Sequence, residues 1–182
     1  MKRIQVMPLG PVPPDPLAEL CGGLSREFCV ECEILPSEAD PAFAFNLTRQ
    51  QYHSTEILAS LIRKATPASR HLLGITLLDL YIPILTFVFG EAQLEGNCAL
   101  VSTYRLRQEF YGLPPDSQLF RERLLKEAIH ELGHTLSLAH CENYECVMSP
   151  SHGVEWIDLK GPHFCDECRT VIDNRGRTKA AI

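Results

Sequence analysis

The sequence predicts an α/β fold, with a mixed twisted sheet, an antiparallel edge strand, one long helix carrying the chemistry, and a small C-terminal part stapled by cysteines. Three observations predict it. The chain opens in β-α-β order, which favours a parallel pair of strands. The runs FVFGEA and CALVSTY are strand-like and separated by the turn-prone LEGN. The residues from Cys141 onward carry four cysteines but no long apolar run, so they need a staple more than a core.

In chain order, Arg3 to Met7 read as a short buried strand, followed by a Pro/Gly turn. A helical pattern from Pro16 to about Arg26 opens behind Asp15. Val30, Cys32 and Ile34 alternate with Glu31 and Glu33, the period of a strand with one wet face. After a loop from Pro36 to Gln51, residues Ser54 to Lys64 carry Ile57, Leu58, Leu61 and Ile62 at helical spacing, with Ser54 as the expected cap. The run HLLGITLLDLYI, rich in branched and aliphatic residues, predicts a central strand buried on both faces. The next helix starts near Asp116, after Pro114 and Pro115, and buries Phe120, Leu124, Ile129 and Leu132.

At 182 residues the chain holds one domain, or a domain with a small lobe. Apolar residues make up 45% and charged residues 22%, the balance of a soluble globular protein. The net charge of −6, with basic residues spread out except in the tail NRGRTKAAI, argues against nucleic acid as a partner. MKRIQVMPLGPVPP has no signal-peptide pattern. The longest apolar stretch, broken by Asp79 and Pro83, falls short of a membrane span. A cytoplasmic monomer is therefore expected. In that compartment thiols stay reduced, so eight cysteines point to metal ligation rather than disulfides.

The densest chemistry lies in HELGHTLSLAHCENYECVMSP, residues 130–150. Residues four apart on a helix share a face, so His130 and His134 can present their rings to one ion. Glu131 sits beside the pair, able to reach a water on the ion without being a ligand, which is the mechanical content of H-E-x-x-H. Zinc held by three protein ligands keeps a position for water and lowers its pKa to about 7. Glu131 would take that proton and pass it to a leaving amine. The bland alternative is a helix with histidines on its solvated side.

With Met148 close behind, H-E-x-x-H-x-x-x-x-x-H resembles the metzincin metallopeptidases. The added Cys141, Cys146, Cys165 and Cys168 resemble the archaemetzincin branch, so the likeness covers residues 130 to 168 at motif level. It implies a zincin-like fold, with His130, His134 and His140 as catalytic zinc ligands, Glu131 as general base, and Met148 in the turn beneath the metal. One position departs from the family pattern: Ser137 stands where metzincins carry glycine. An unbroken helix would place His140 about 240° round from His134 and about 9 Å further along, so the chain must turn first. A serine in the left-handed conformation costs on the order of 1 to 2 kcal/mol, against about 10 to 16 kcal/mol for zinc binding at structural sites. Ser137 is expected to make the turn.

Cys141, Cys146, Cys165 and Cys168, spaced C-x4-C and C-x2-C, can close a tetrahedron round a second, structural zinc. Such a site has no open position and folds the residues around it; the alternative is a redox pair or inert thiols. The expected division is a catalytic part over residues 1–140 and a C-terminal part over 141–182. Cys29 and Cys32 form another C-x2-C with no partner pair, and read as buried thiols. Gly90, Glu91 and Gln93 are candidates either for substrate contact or for plain protection of an edge strand. His152, His163 and Tyr144 are further candidates for touching substrate, while His53 and His71 read as structural.

The expected protein is thus a zinc metallopeptidase with two zinc ions and a peptide or protein substrate. The resemblance suggests peptide or aminopeptidase substrates, and no residue defines a pocket for an amino terminus. The rivals are a zinc-stabilised binding module without turnover and a zinc hydrolase acting on a non-peptide amide.

Overall fold

The computed structural model describes residues 1, 3–65 and 70–178; the end of the basic tail, 179–182, lies outside them. Its main sheet runs in the order β2-β1-β5-β8-β7, built from β1 (Arg3–Leu9), β2 (Glu31–Ile34), β5 (Arg70–Thr76), β7 (Gly90–Ala92) and β8 (Cys98–Ser102). All neighbours are parallel except β7, which pairs antiparallel with β8 and forms the edge. A β-α-β opening through α1 (Pro14–Phe28) gives the first parallel pair, as the order of elements predicts.

The strand period of two splits the core between the two faces. On one face Ile4, Val6, Leu73, Ile75, Ala99 and Val101 pack with α1 and with α3 (Ser117–Thr135). On the other, Met7, Leu9, Leu72, Cys98 and Leu100 pack with Ile57, Leu58 and Leu61 of α2 (Ser54–Lys64). Since α3 lies over the sheet and also under the C-terminal residues, it is buried nearly all round: Leu124, Ala128, Ile129 and Leu132, but also Arg123, Lys126, Glu127, His130 and Glu131. The Asp116 side chain caps it by accepting from the Leu119 N–H at 2.9 Å.

The first core cluster continues without interruption into Val147, Met148, Ile157, Phe164 and Cys168. Two cations of α3 fasten the element α4 (Val154–Leu159) beneath it. Arg123 grips Asp158 with two bonds of 2.7 and 2.6 Å, and Lys126 donates to the Ile157 carbonyl at 2.9 Å. The chain ends in α5 (Asp166–Thr178). No helix among the described residues is long and apolar enough to cross a membrane.

Several expectations are corrected. The loop 36–51 contributes β3 (Phe45–Asn46) and β4 (Gln51–His53), which join β6 (Leu80–Tyr81) in a second small sheet. The first helix begins at Pro14, because proline is tolerated in a first turn where no N–H partner exists. Ser54 does not cap α2; its hydroxyl donates to the Tyr81 carbonyl at 3.1 Å and to the Glu91 carboxylate, partners from distant elements. Cys21 and Cys32 are joined as a disulfide with Cα atoms 5.3 Å apart, and Cys29 is exposed in a left-handed conformation at the end of α1. Both the buried-thiol reading of Cys29 and Cys32 and the exclusion of disulfides therefore fail. The partner of Cys32 sits one helix back, and only the packing of α1 against β2 brings it near.

Candidate metal centres

α3 presents His130 and His134 on one face, one turn apart, and the chain must then turn to bring His140 round. It does so at Ser137, whose φ is 70°. The Leu138 N–H bonds the Gly133 carbonyl at 3.1 Å and the Ser137 N–H bonds the His134 carbonyl at 2.9 Å. That is the Schellman ending of a helix, with serine where glycine is usual. Buried Leu138 supplies the apolar contact that accompanies it. Substituting Ser137 by glycine removes the left-handed penalty, so S137G is expected to raise stability by about 1 kcal/mol. Denaturant unfolding of the zinc-loaded protein checks this, and a destabilised S137G would contradict it.

The three imidazoles converge, each offering a ring nitrogen within 4.8 Å of the others. Nδ1 of His130 donates to the Val147 carbonyl at 2.8 Å, and Nδ1 of His134 to the Leu138 carbonyl at 2.8 Å. Both Nε2 atoms thus carry lone pairs, and they face each other at 3.2 Å. Lone pairs at that distance repel unless a cation lies between them. Tetrahedral zinc with nitrogens at about 2.0–2.1 Å would hold two of them about 3.3 Å apart, so the residues fit the ion. Burial lowers the pKa of all three rings, most strongly at His130 where the Lys160 charge adds to it, and this favours the neutral ligand form.

Met148 packs against α3 at Gly133. A Cβ on Gly133 would collide with the Met148 sulfur, so the helix approaches the turn at its one residue without a side chain. Glu131 lines a cavity of about 290 Å³ together with residues 85–90, His130, His140, Pro150 and His152. Burial, and then the nearby Glu127 carboxylate, push the Glu131 pKa well above the usual range, with Lys160 opposing. A larger hollow of about 530 Å³ lies between α1 and α3, and none of its lining residues belongs to a metal-ligating group.

The cysteines converge as well. Cys141 and Cys165 have sulfurs 3.8 Å apart, as do Cys146 and Cys168, and all four lie within 4.8 Å of one another. A zinc tetrathiolate with bonds of about 2.3 Å has edges of about 3.8 Å, so this set also fits. The Cys146 sulfur accepts from the Met148 and Cys165 N–H groups at 3.4 and 3.3 Å. The Cys168 N–H lowers the Cys165 pKa, while burial raises Cys141 and Cys168. Between the two groups, the Cys141 N–H donates to the Met148 carbonyl at 3.0 Å.

Gly90 and His152 line the cavity. Glu91 instead accepts from Ser54 and Thr55 at the start of α2, and Gln93 accepts from the Asn97 N–H at 3.2 Å to close the β7–β8 turn. Their polar groups are spent inside the protein. His163 pairs with Glu27 at 2.7 Å, and Tyr144 is exposed between the cysteines and absent from the cavity lining. Buried His71 and the His53–Glu56 pair at 3.2 Å keep structural surroundings. Sequence reasoning missed Glu127 and Lys160. The Lys160 ammonium sits 2.9 Å from the Glu127 carboxylate, 3.2 Å from the Ser149 carbonyl and 3.5 Å from Nδ1 of His130. A single lysine after a short helix offers no local signal of that role.

Comparison with known proteins bears on the same residues. Residues 39–174 match the sequence pattern of Peptidase family M54. The protein named archaemetzincin of Methanocaldococcus jannaschii is 45% identical over 174 residues, covering 96% of this chain and 94% of that one. The crystal structure of archaemetzincin from Archaeoglobus fulgidus complexed with malonate is similar at a TM-score of 0.81 and 38% identity, over 93% of this chain and 99% of that one. A zinc-dependent peptidase from Methanocorpusculum labreanum is similar at a TM-score of 0.86 and 28% identity, over 93% and 99%.

Proposed function

The chain belongs to Peptidase family M54, the archaemetzincins, and from that premise we propose that it is a zinc metallopeptidase hydrolysing peptide bonds with Glu131 as general base. The convergence of three imidazole rings beside one buried carboxylate on a cavity wall carries this reading. His130, His134 and His140 hold the catalytic zinc, and the Val147 and Leu138 carbonyls fix the orientation of the first two rings. Bound zinc supplies a water of lowered pKa and polarises the scissile carbonyl. Glu131 accepts the proton of the attacking water and delivers it to the departing amine. The wall at residues 85–90 borders the cavity, with Phe87 held between Phe89 at 5.2 Å and the Arg105 guanidinium at 4.2 Å. An extended peptide backbone suits the free edge of β7.

Cys141, Cys146, Cys165 and Cys168 hold the second zinc, a closed site that sets the floor residues 146–149. The division of labour is therefore a catalytic part over 1–140 and a C-terminal part from 141. The protein works on peptides or proteins, as a monomer. Two zinc ions per chain, placed by anomalous scattering at the two residue groups, are expected. Cleavage of a mixed peptide library should be lost on chelation and restored by zinc. Failure of the zinc-loaded protein to cleave any peptide would return the site to the class of binding modules.

A further inference from the structure

We infer that Gly90 is a positioning residue for Glu131: the space a side chain would occupy on the edge strand is the space in which the Glu131 carboxylate is seated. This inference rests on the reading of Glu131 as the base.

Gly90 opens β7 and pairs with Val101 of β8. Its conformation does not require glycine, since the positive-φ glycines among the described residues are Gly10 and Gly112. Space requires it. A Cβ built there would lie 2.7 Å from both Cγ and Oε1 of Glu131, and 2.6 Å from the Leu100 carbonyl oxygen. All three distances are shorter than carbon tolerates, and the contacts come from two sides. Leu100 is fully buried in β8, with little freedom to retreat. The Glu131 side chain is the softer neighbour, and Cγ is too close to its own backbone to escape without changing rotamer. A methyl group at position 90 therefore swings the carboxylate off its seat.

The neighbours of that seat on α3 are themselves held in place. Gly133, two residues on, is pressed against Met148, so α3 cannot roll. Glu127, on the preceding turn, is taken up by Lys160 at 2.9 Å. Gly90 and Glu131 line the same cavity, so a displaced carboxylate stays beside it but out of line. Misplacement by about 1 Å far from the bond-breaking atoms can cost about 100-fold, and here the misplaced group is the base itself.

The test is a double-mutant cycle in the zinc-loaded protein. G90A is expected to lower kcat about 100-fold with KM within about threefold and two zinc ions still bound. In the E131A background, where no carboxylate remains to be displaced, G90A should lower kcat far less than it does beside Glu131. A second readout is independent of turnover. In denaturant unfolding, G90A should raise the unfolding constant about fivefold or more beyond what it does in the E131A background, where the clash with the side chain is gone. If G90A alone does not fold, recovery of folding in G90A/E131A supports the inference and its absence overturns it. Full kcat in G90A, or losses that simply multiply in both cycles, also overturns it. If the unsubstituted protein cleaves no peptide, the peptidase reading falls, and the unfolding cycle still decides whether Gly90 seats Glu131.

Discussion

Replacing Glu131 with glutamine is expected to lower peptide hydrolysis by about 1,000-fold or more while both zinc ions stay bound. General acid–base catalysis by a placed side chain contributes about 10²- to 10⁴-fold, and this residue is assigned both the acceptance and the return of the proton. Glutamine keeps the shape that Gly90 leaves room for, so the edge strand is undisturbed. It removes the basic oxygen and nothing else. Folding should not suffer, because glutamine has nearly the same volume and shape as the side chain it replaces. Zinc analysis, unfolding and single-turnover cleavage of one library peptide check the three parts separately. Unchanged turnover in E131Q would remove Glu131 as the base and turn attention to Glu127 in the same cavity.

Cys168→Ala is expected to have the larger effect on structure: one zinc lost per chain, early unfolding of the C-terminal part, and at least a tenfold loss of activity. Zinc binding at structural sites is worth about 10 to 16 kcal/mol, comparable to the entire stability of an ordinary domain of about 5–15 kcal/mol. The loss travels along a chain of hydrogen bonds. Cys146 holds the Met148 N–H through its sulfur, the Cys141 N–H holds the Met148 carbonyl, and between them Val147 accepts from Nδ1 of His130. Slackening the thiolate group therefore frees the ring of a proposed catalytic ligand from its orienting carbonyl. Cys146→Ala should do the same by the same path. Zinc content, thermal unfolding and proteolysis after residue 141 measure it. A folded, fully active Cys168→Ala protein would refute the coupling.

Much of the architecture is legible because it is set locally. The Ser54–Lys64 helix, the helix start near Asp116 and the turn over LEGN each follow from a few consecutive residues. The pairing of Cys21 with Cys32, the use of Ser54 and Thr55 to hold Glu91, and the burial of Lys160 against Glu127 do not. Each joins elements whose meeting depends on the whole sheet. Glu91 read as a polar edge residue because its hydrogen-bonding partners stand 36 and 37 positions earlier.

By itself the sequence determined the ligand types and their helical spacing, since a turn of helix sets His130 and His134 on one face whatever surrounds them. It determined also that the chain must break before His140 for that ring to join the other two, while the resemblance to metzincins pointed to Ser137 as the residue that would bear the strain. Tertiary structure alone decided what stands behind each of these groups: Val147 behind His130, Met148 under Gly133, and the bare backbone of Gly90 beside Glu131. Periodicity is a property of neighbours along the chain. The seat of a carboxylate is made by packing a helix against a strand some forty residues away, and the pattern of either one alone does not contain it.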